Sequence, residues 1–255
     1  MTHAIDGMWQ NSYGSQMRLS VQKDGLLLGD YSSTTGSSGR YLMIGYVSGH
    51  EPNPSLGQGV VISIYWRSVE RSAPDASWHW VSTYCGQLQA NQQMEVINSL
   101  VASTQFEQII VGDYIDKLGF HKVESNVNLQ PFELSIKGEH PDLMNGTWSD
   151  PSNSLSIQLA VTNPELGIVS GSASFQQQCF PIYGFTDTHR ADLDLQSLSI
   201  SGLIPNDKQP ISISGTLDVV SQQLNVSAWL GNGTAPEENY LQASMSAWVL
   251  NKSSK

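Results

Sequence analysis

Charge is scarce in this sequence. Only 14% of its 255 residues are charged, and 12 Lys and Arg stand against 23 Asp and Glu, for a formal net charge of −11. Gripping a phosphate backbone takes clustered cations, and no basic cluster exists, so nucleic acid is not an expected partner. No apolar run reaches the roughly 18 residues that a membrane-crossing helix needs, so no membrane association is expected. Cysteine is nearly absent: Cys85 and Cys179 lie far apart without metal spacing. Free buried thiols in a reducing compartment are expected ahead of a disulfide between them. The six histidines are scattered, no H-E-x-x-H, G-x-S-x-G or phosphate-loop pattern occurs, and nothing pairs a nucleophile with a base. Neither a catalytic residue, a metal site nor a cofactor is therefore implied. Residues 1–6 have neither a basic head nor an apolar stretch, so no secretory signal is read. The expected compartment is the cytoplasm, or the exterior if a leader was removed.

What the sequence does have is alternation. Apolar and polar residues alternate through 17–21, 25–31, 41–47, 60–66, 77–88 and 94–102, with Gly, Pro, Asn or Ser clusters between them. The segment 107–111 is strand-like as well. A period of two sends successive side chains to opposite faces, so an all-β chain with strands joined up and down is expected. The pattern also repeats. Gly7-Met8-Trp9 recurs as Gly146-Thr147-Trp148, Ser15 as Ser154, Tyr41 to Gly45 as Phe180 to Gly184, and Ile97-Asn98 as Leu224-Asn225. Two tandem barrels are predicted, over 1–122 and 143–255. The linker 123–142 carries Gln130-Pro131 and His140-Pro141.

One stretch is richer in chemistry than the rest. It reads Gly7-Met8-Trp9-Gln10-Asn11-Ser12-Tyr13-Gly14-Ser15, then Gly29-Asp30-Tyr31-Ser32-Ser33, then Arg40-Tyr41-Leu42-Met43-Ile44-Gly45. These three motifs, in this order and spacing, resemble the avidin and streptavidin family of biotin-binding β-barrels. The resemblance covers residues 7–118 and implies eight-stranded antiparallel up-and-down barrels.

It also implies a ligand and a site. The ligand is biotin or a biotin-like small molecule, held as a ligand and not as a cofactor. Asn11, Ser15 and Tyr31 stand where the family hydrogen-bonds the ureido oxygen, and Ser33 where it accepts one ureido N–H. Ser37 stands by the carboxylate tail, in a loop one residue shorter than the family's. Trp66 matches an aromatic wall. Ser82 falls beside the tail and Tyr84 on the wall, although a competing register puts Trp80 there. Phe106 stands where the family carries a Trp that reaches into a neighbouring barrel. Asp113 is nominated as the carboxylate for the second ureido N–H if one residue is deleted; without a deletion Tyr114 faces the ligand. The family's Trp on strand seven is missing, with Ser or Leu in its place. The family assembles dimers or tetramers, so two chains of two barrels are expected to imitate a tetramer.

The second repeat carries Asp150, Ala173 and Phe175 where the first has Asn11, a Tyr and a Ser. An ionised Asp repels a ureido oxygen and a Phe fills space, so this barrel is expected to be structural. Tyr240 or Trp248 is expected to touch the first barrel. Trp9 and Trp148 are read as core plugs. Two competing readings remain: a barrel that binds or transforms a different apolar molecule, and an interaction protein with filled cavities.

Overall fold

The computed structural model describes residues 3–33, 39–70, 73–190 and 192–253. The first barrel is built from β1 (Gly7–Asn11), β2 (Gln16–Val21), β3 (Leu26–Ser33), β4 (Gly39–Val47), β5 (Gln58–Tyr65), β6 (Val81–Leu88), β7 (Gln93–Ala102) and β8 (Gly112–Glu124). The second is built from β9 (Gly146–Ser149), β10 (Leu155–Asn163), β11 (Ile168–Phe175), β12 (Gln178–Thr186), β13 (Leu195–Ile204), β14 (Gln209–Asp218), β15 (Gln223–Gly231) and β16 (Ala243–Lys252). In each, sequential strands pair antiparallel and the last closes on the first. The fold is thus two closed eight-stranded up-and-down barrels.

Alternation fills them. Leu155, Ile157, Leu159 and Val161 of β10 all enter the second core, and Met17 and Leu19 of β2 do the same in the first. Trp9 and Trp148 are fully buried. Each donates its indole N–H to a backbone carbonyl 2.9 Å away, Ile5 and Met144 respectively. The repeated glycines mark close strand contact. A Cβ on Gly45 would lie 2.2 Å from the Val61 carbonyl, and one on Gly184 would lie 2.1 Å from that of Ser199.

Two segments differ from the sequence expectation. Residues 107–111 form no strand; Phe106 and Ile109 make an isolated bridge, and Glu107 takes a positive φ of 51°. Ala76–His79 winds into a single 3-10 turn because the Asp75 carboxylate accepts from the Ser77 N–H at 2.9 Å, so β6 starts only at Val81. Between the barrels, the connecting chain lies against β10, with Ile136 N–H on the Thr162 carbonyl and the Thr162 hydroxyl on that of Leu134.

The barrels pack side by side, β4–β6 against β12–β14. Their interface has a hydroxyl core: Ser63 lies 2.9 Å from Ser201, and Thr83 2.9 Å from Ser199 and 3.1 Å from Ser212, all buried. Pairing hydroxyls with one another removes the cost of burying them. At one end Gln87 accepts from the Thr234 N–H at 3.0 Å. At the other, Tyr65 and His79 meet the buried Asp187.

Candidate functional site

A cavity of about 520 Å³ opens in the first barrel. Asn11, Ser15, Tyr31, Ser33, Trp66, Trp80, Tyr84 and Phe106 all line it. Tyr31 and Ser33 therefore point inward from β3, as residues two apart on a strand should.

The polar corner is set by a turn. The Asn11 Oδ1 accepts from the backbone N–H groups of Tyr13 and Ser15, both at 3.0 Å, which closes the β1–β2 connection. With its oxygen so engaged, Asn11 presents its Nδ2, which donates to the Tyr31 hydroxyl at 3.3 Å. An amide N–H, a phenol and the Ser15 hydroxyl thus gather at one corner.

Much of the remaining wall is aromatic. Tyr31 meets Trp66 edge-on with ring centroids 5.7 Å apart, and Tyr84 at 6.3 Å. Tyr41 backs Trp66 at 4.9 Å. Edge-to-face contacts of this kind hold rings in fixed orientations. Trp80, which precedes β6, and Tyr84, within it, both line the cavity. Burial pushes the Tyr84 phenol well above its ordinary range, with Tyr31 and then Asp116 adding to the shift, so it stays protonated.

Other expected residues are placed differently. Ser82 is buried and accepts the Trp66 indole N–H at 2.9 Å, so it orients a wall residue. Ser37 lies outside the described residues. Phe106 packs on Trp80 of its own barrel at 6.0 Å and lines that barrel's cavity. Asp113 opens a separate recess shared with Trp248 and Val249 of the second barrel, where burial raises its carboxyl above the usual range. On β8 it is Leu118 that faces the cavity, so Tyr114 and Asp116 share its face and Asp113 turns away. By the same alternation the acid that shares the face of Leu118 is Asp116, which is exposed.

Strand seven supplies Asn98, which sequence reasoning missed, beside Leu100, the Leu it had allowed in place of the family's Trp. Asn98 and Leu100 line the cavity, with Asn98 opposite Asp116 and Leu100 opposite Tyr114. The Asn98 Oδ1 is buried without a hydrogen-bond partner among the described residues. An unmet acceptor is costly, and here it belongs to a cavity-lining side chain. Counting parity along β7 from Val96, which is in the core, would have found both residues.

The second barrel keeps a turn closed by a side chain and places Phe175 in its core. The Asp150 carboxylate accepts from the N–H groups of Ser152 at 2.9 Å and Leu155 at 2.7 Å, one on each oxygen, closing a turn one residue longer than that of Asn11. Burial would raise its carboxyl, but those donors and the Ser152 hydroxyl outweigh this and hold it down at about 2. A carboxylate has no N–H to present inward. Phe175, at the Ser33 position, meets Trp248 edge-on at 5.8 Å. Trp248 thus packs on its own barrel while bordering the Asp113 recess, and Tyr240 borders a groove with Cys85 and Lys117 of the first barrel.

A search of curated proteins finds no match to the chain. Residues 1–111, which supply seven of the first barrel's eight strands and every cavity-lining residue but Leu118, match the model of the avidin family. Over residues 1–111 this chain is thus similar to the avidin family, and a second closed barrel of the same strand order follows the first.

Proposed function

We propose that the first barrel binds biotin, or another small molecule with a ureido-like head, without transforming it, and that the second barrel is a structural copy. The observation that carries this reading is the polar corner, where Asn11 Nδ2 and the Tyr31 and Ser15 hydroxyls line a cavity walled in part by aromatic rings. Donors preset around one point favour a polarised carbonyl oxygen there and resist apolar ligands. The volume of about 520 Å³ sits within the ~300–1,000 Å³ of small-molecule sites, which weighs against a filled interaction barrel. Ser33 is suited to accept a head-group N–H, and Trp66, Trp80, Tyr84 and Phe106 to enclose the body. Adding biotin should raise the melting temperature and change tryptophan fluorescence, since two indoles line the site. No change in either at millimolar biotin would eliminate this reading.

The oligomer belongs to the same proposal. Ile110, Val111 and Ile115 of the first barrel and Met245 and Val249 of the second are exposed. An apolar strip of this kind favours pairing of two chains into a four-barrel assembly. Light scattering should give twice the chain mass of 27.9 kDa; a strict monomer rejects the pairing.

A further inference from the structure

The wall of the first cavity is anchored from outside its own barrel. Trp66 and Trp80 lie at the two ends of the β5–β6 connection, residues 66–80, and the Trp66 N–H donates to the Trp80 carbonyl at 3.0 Å. Immediately before each indole stands a residue that reaches across to the second barrel. The Tyr65 hydroxyl donates to Asp187 Oδ1 at 2.8 Å, and His79 Nδ1 lies 2.6 Å from Asp187 Oδ2. At that distance the imidazole must carry its proton on Nδ1, since two acceptors would repel. The Ser197 hydroxyl, also from the second barrel, donates to the His79 carbonyl at 2.6 Å.

Asp187 is fully buried and makes no contact with the cavity. A buried carboxylate is a poor source of net stability, because its desolvation offsets its attractions, and such groups are better suited to specifying one conformation. Here both oxygens are engaged, Oδ1 also accepting the His189 N–H at 2.9 Å. The groups they hold fix two ring-bearing backbones in a long connection. The equivalent connection of the second barrel is only the turn 205–208.

We propose that Asp187 is a positioning residue for the first barrel's cavity: from the second barrel it clamps Tyr65 and His79 and thereby sets Trp66 and Trp80. This rests on the reading that the cavity holds a small molecule, and it gives the second barrel a part in binding with no ligand of its own.

The test uses the full chain and two readouts, amide hydrogen exchange over 66–80 without ligand and titration with biotin. Asp187→Ala should speed exchange in that segment and weaken biotin binding, each about tenfold, as loss of local ordering requires. Gln87→Ala, which breaks the Thr234 contact at the interface's other end, should leave both readouts unchanged. Should Asp187→Ala not fold, Tyr65→Phe removes one hydroxyl from the clamp and should move both readouts in the same direction, less far. Unchanged exchange over 66–80 in a folded Asp187 variant overturns the proposal, as does an equal increase in Gln87→Ala. If the wild-type chain ignores biotin, the ligand reading falls while exchange still decides the clamp.

Discussion

Single side chains carry the difference between the two barrels. Asn11 closes its turn with one oxygen and Asp150 closes the corresponding turn with both of its oxygens, yet only the amide has an N–H left for a ligand. The Asp150 carboxyl, ordinarily near 3.8, is held at about 2 in the fold, so its ionised form favours the folded state. That contribution is whole above about pH 4 and is lost as pH falls toward about 2. Asp150→Asn should remove this loss, and wild type should weaken relative to it between about pH 5 and pH 2 in urea unfolding. A constant gap would contradict the assignment. Asn98 predicts a trade-off. Replacing its unmet acceptor by an apolar group of similar size, Asn98→Leu, should stabilise the fold by about 1 kcal/mol and weaken ligand binding. A drop in the unfolding midpoint would show that the oxygen is satisfied. The polar corner was legible because Asn11, Ser15, Tyr31 and Ser33 sit in short motifs. Asn98 was not, since its role depends on which face of β7 closes the barrel.

The two barrels differ in the length of their connections. In the first barrel β3 and β4 are separated by residues 34–38 and β5 and β6 by residues 66–80; in the second the matching turns are 176–177 and 205–208. Gln176 and Gln177 both have positive φ, the tight hairpin form that leaves no chain to spread around a mouth. Phe175, beside this turn, then fills the interior against Trp248. Phe175→Ala should cost about 3 kcal/mol in urea unfolding and leave first-barrel ligand affinity within about twofold, because the sites do not share residues. A matching loss of affinity would mean that the plug acts on the first cavity. Strands were readable from alternation, but the ends of this connection were not. The apolar-polar pattern runs through 77–80, and only the Asp75 cap turns that stretch into a 3-10 turn that presents Trp80.

At the scale of the molecule, two barrels share one buried face. Ser63, Thr83, Ser199, Ser201 and Ser212 pair across it, and Asp187 locks one edge. The tandem arrangement was legible in the repeated Gly-x-Trp and Tyr/Phe-to-Gly segments. The face was not, because small hydroxyl residues on β5, β6, β13 and β14 read as surface until a partner covers them. The packing of Phe106 on Trp80 of its own barrel was likewise not readable from the sequence, because it depends on the path of the β7–β8 connection. The most direct measurement is a calorimetric titration of the chain with biotin, beside Tyr31→Phe, which removes the hydroxyl at the polar corner and keeps the ring. One site per chain is predicted, with affinity about tenfold lower in the variant, as loss of one hydrogen bond to a polarised oxygen requires. Two equal sites per chain, or heat that Tyr31→Phe leaves unchanged, would contradict the account.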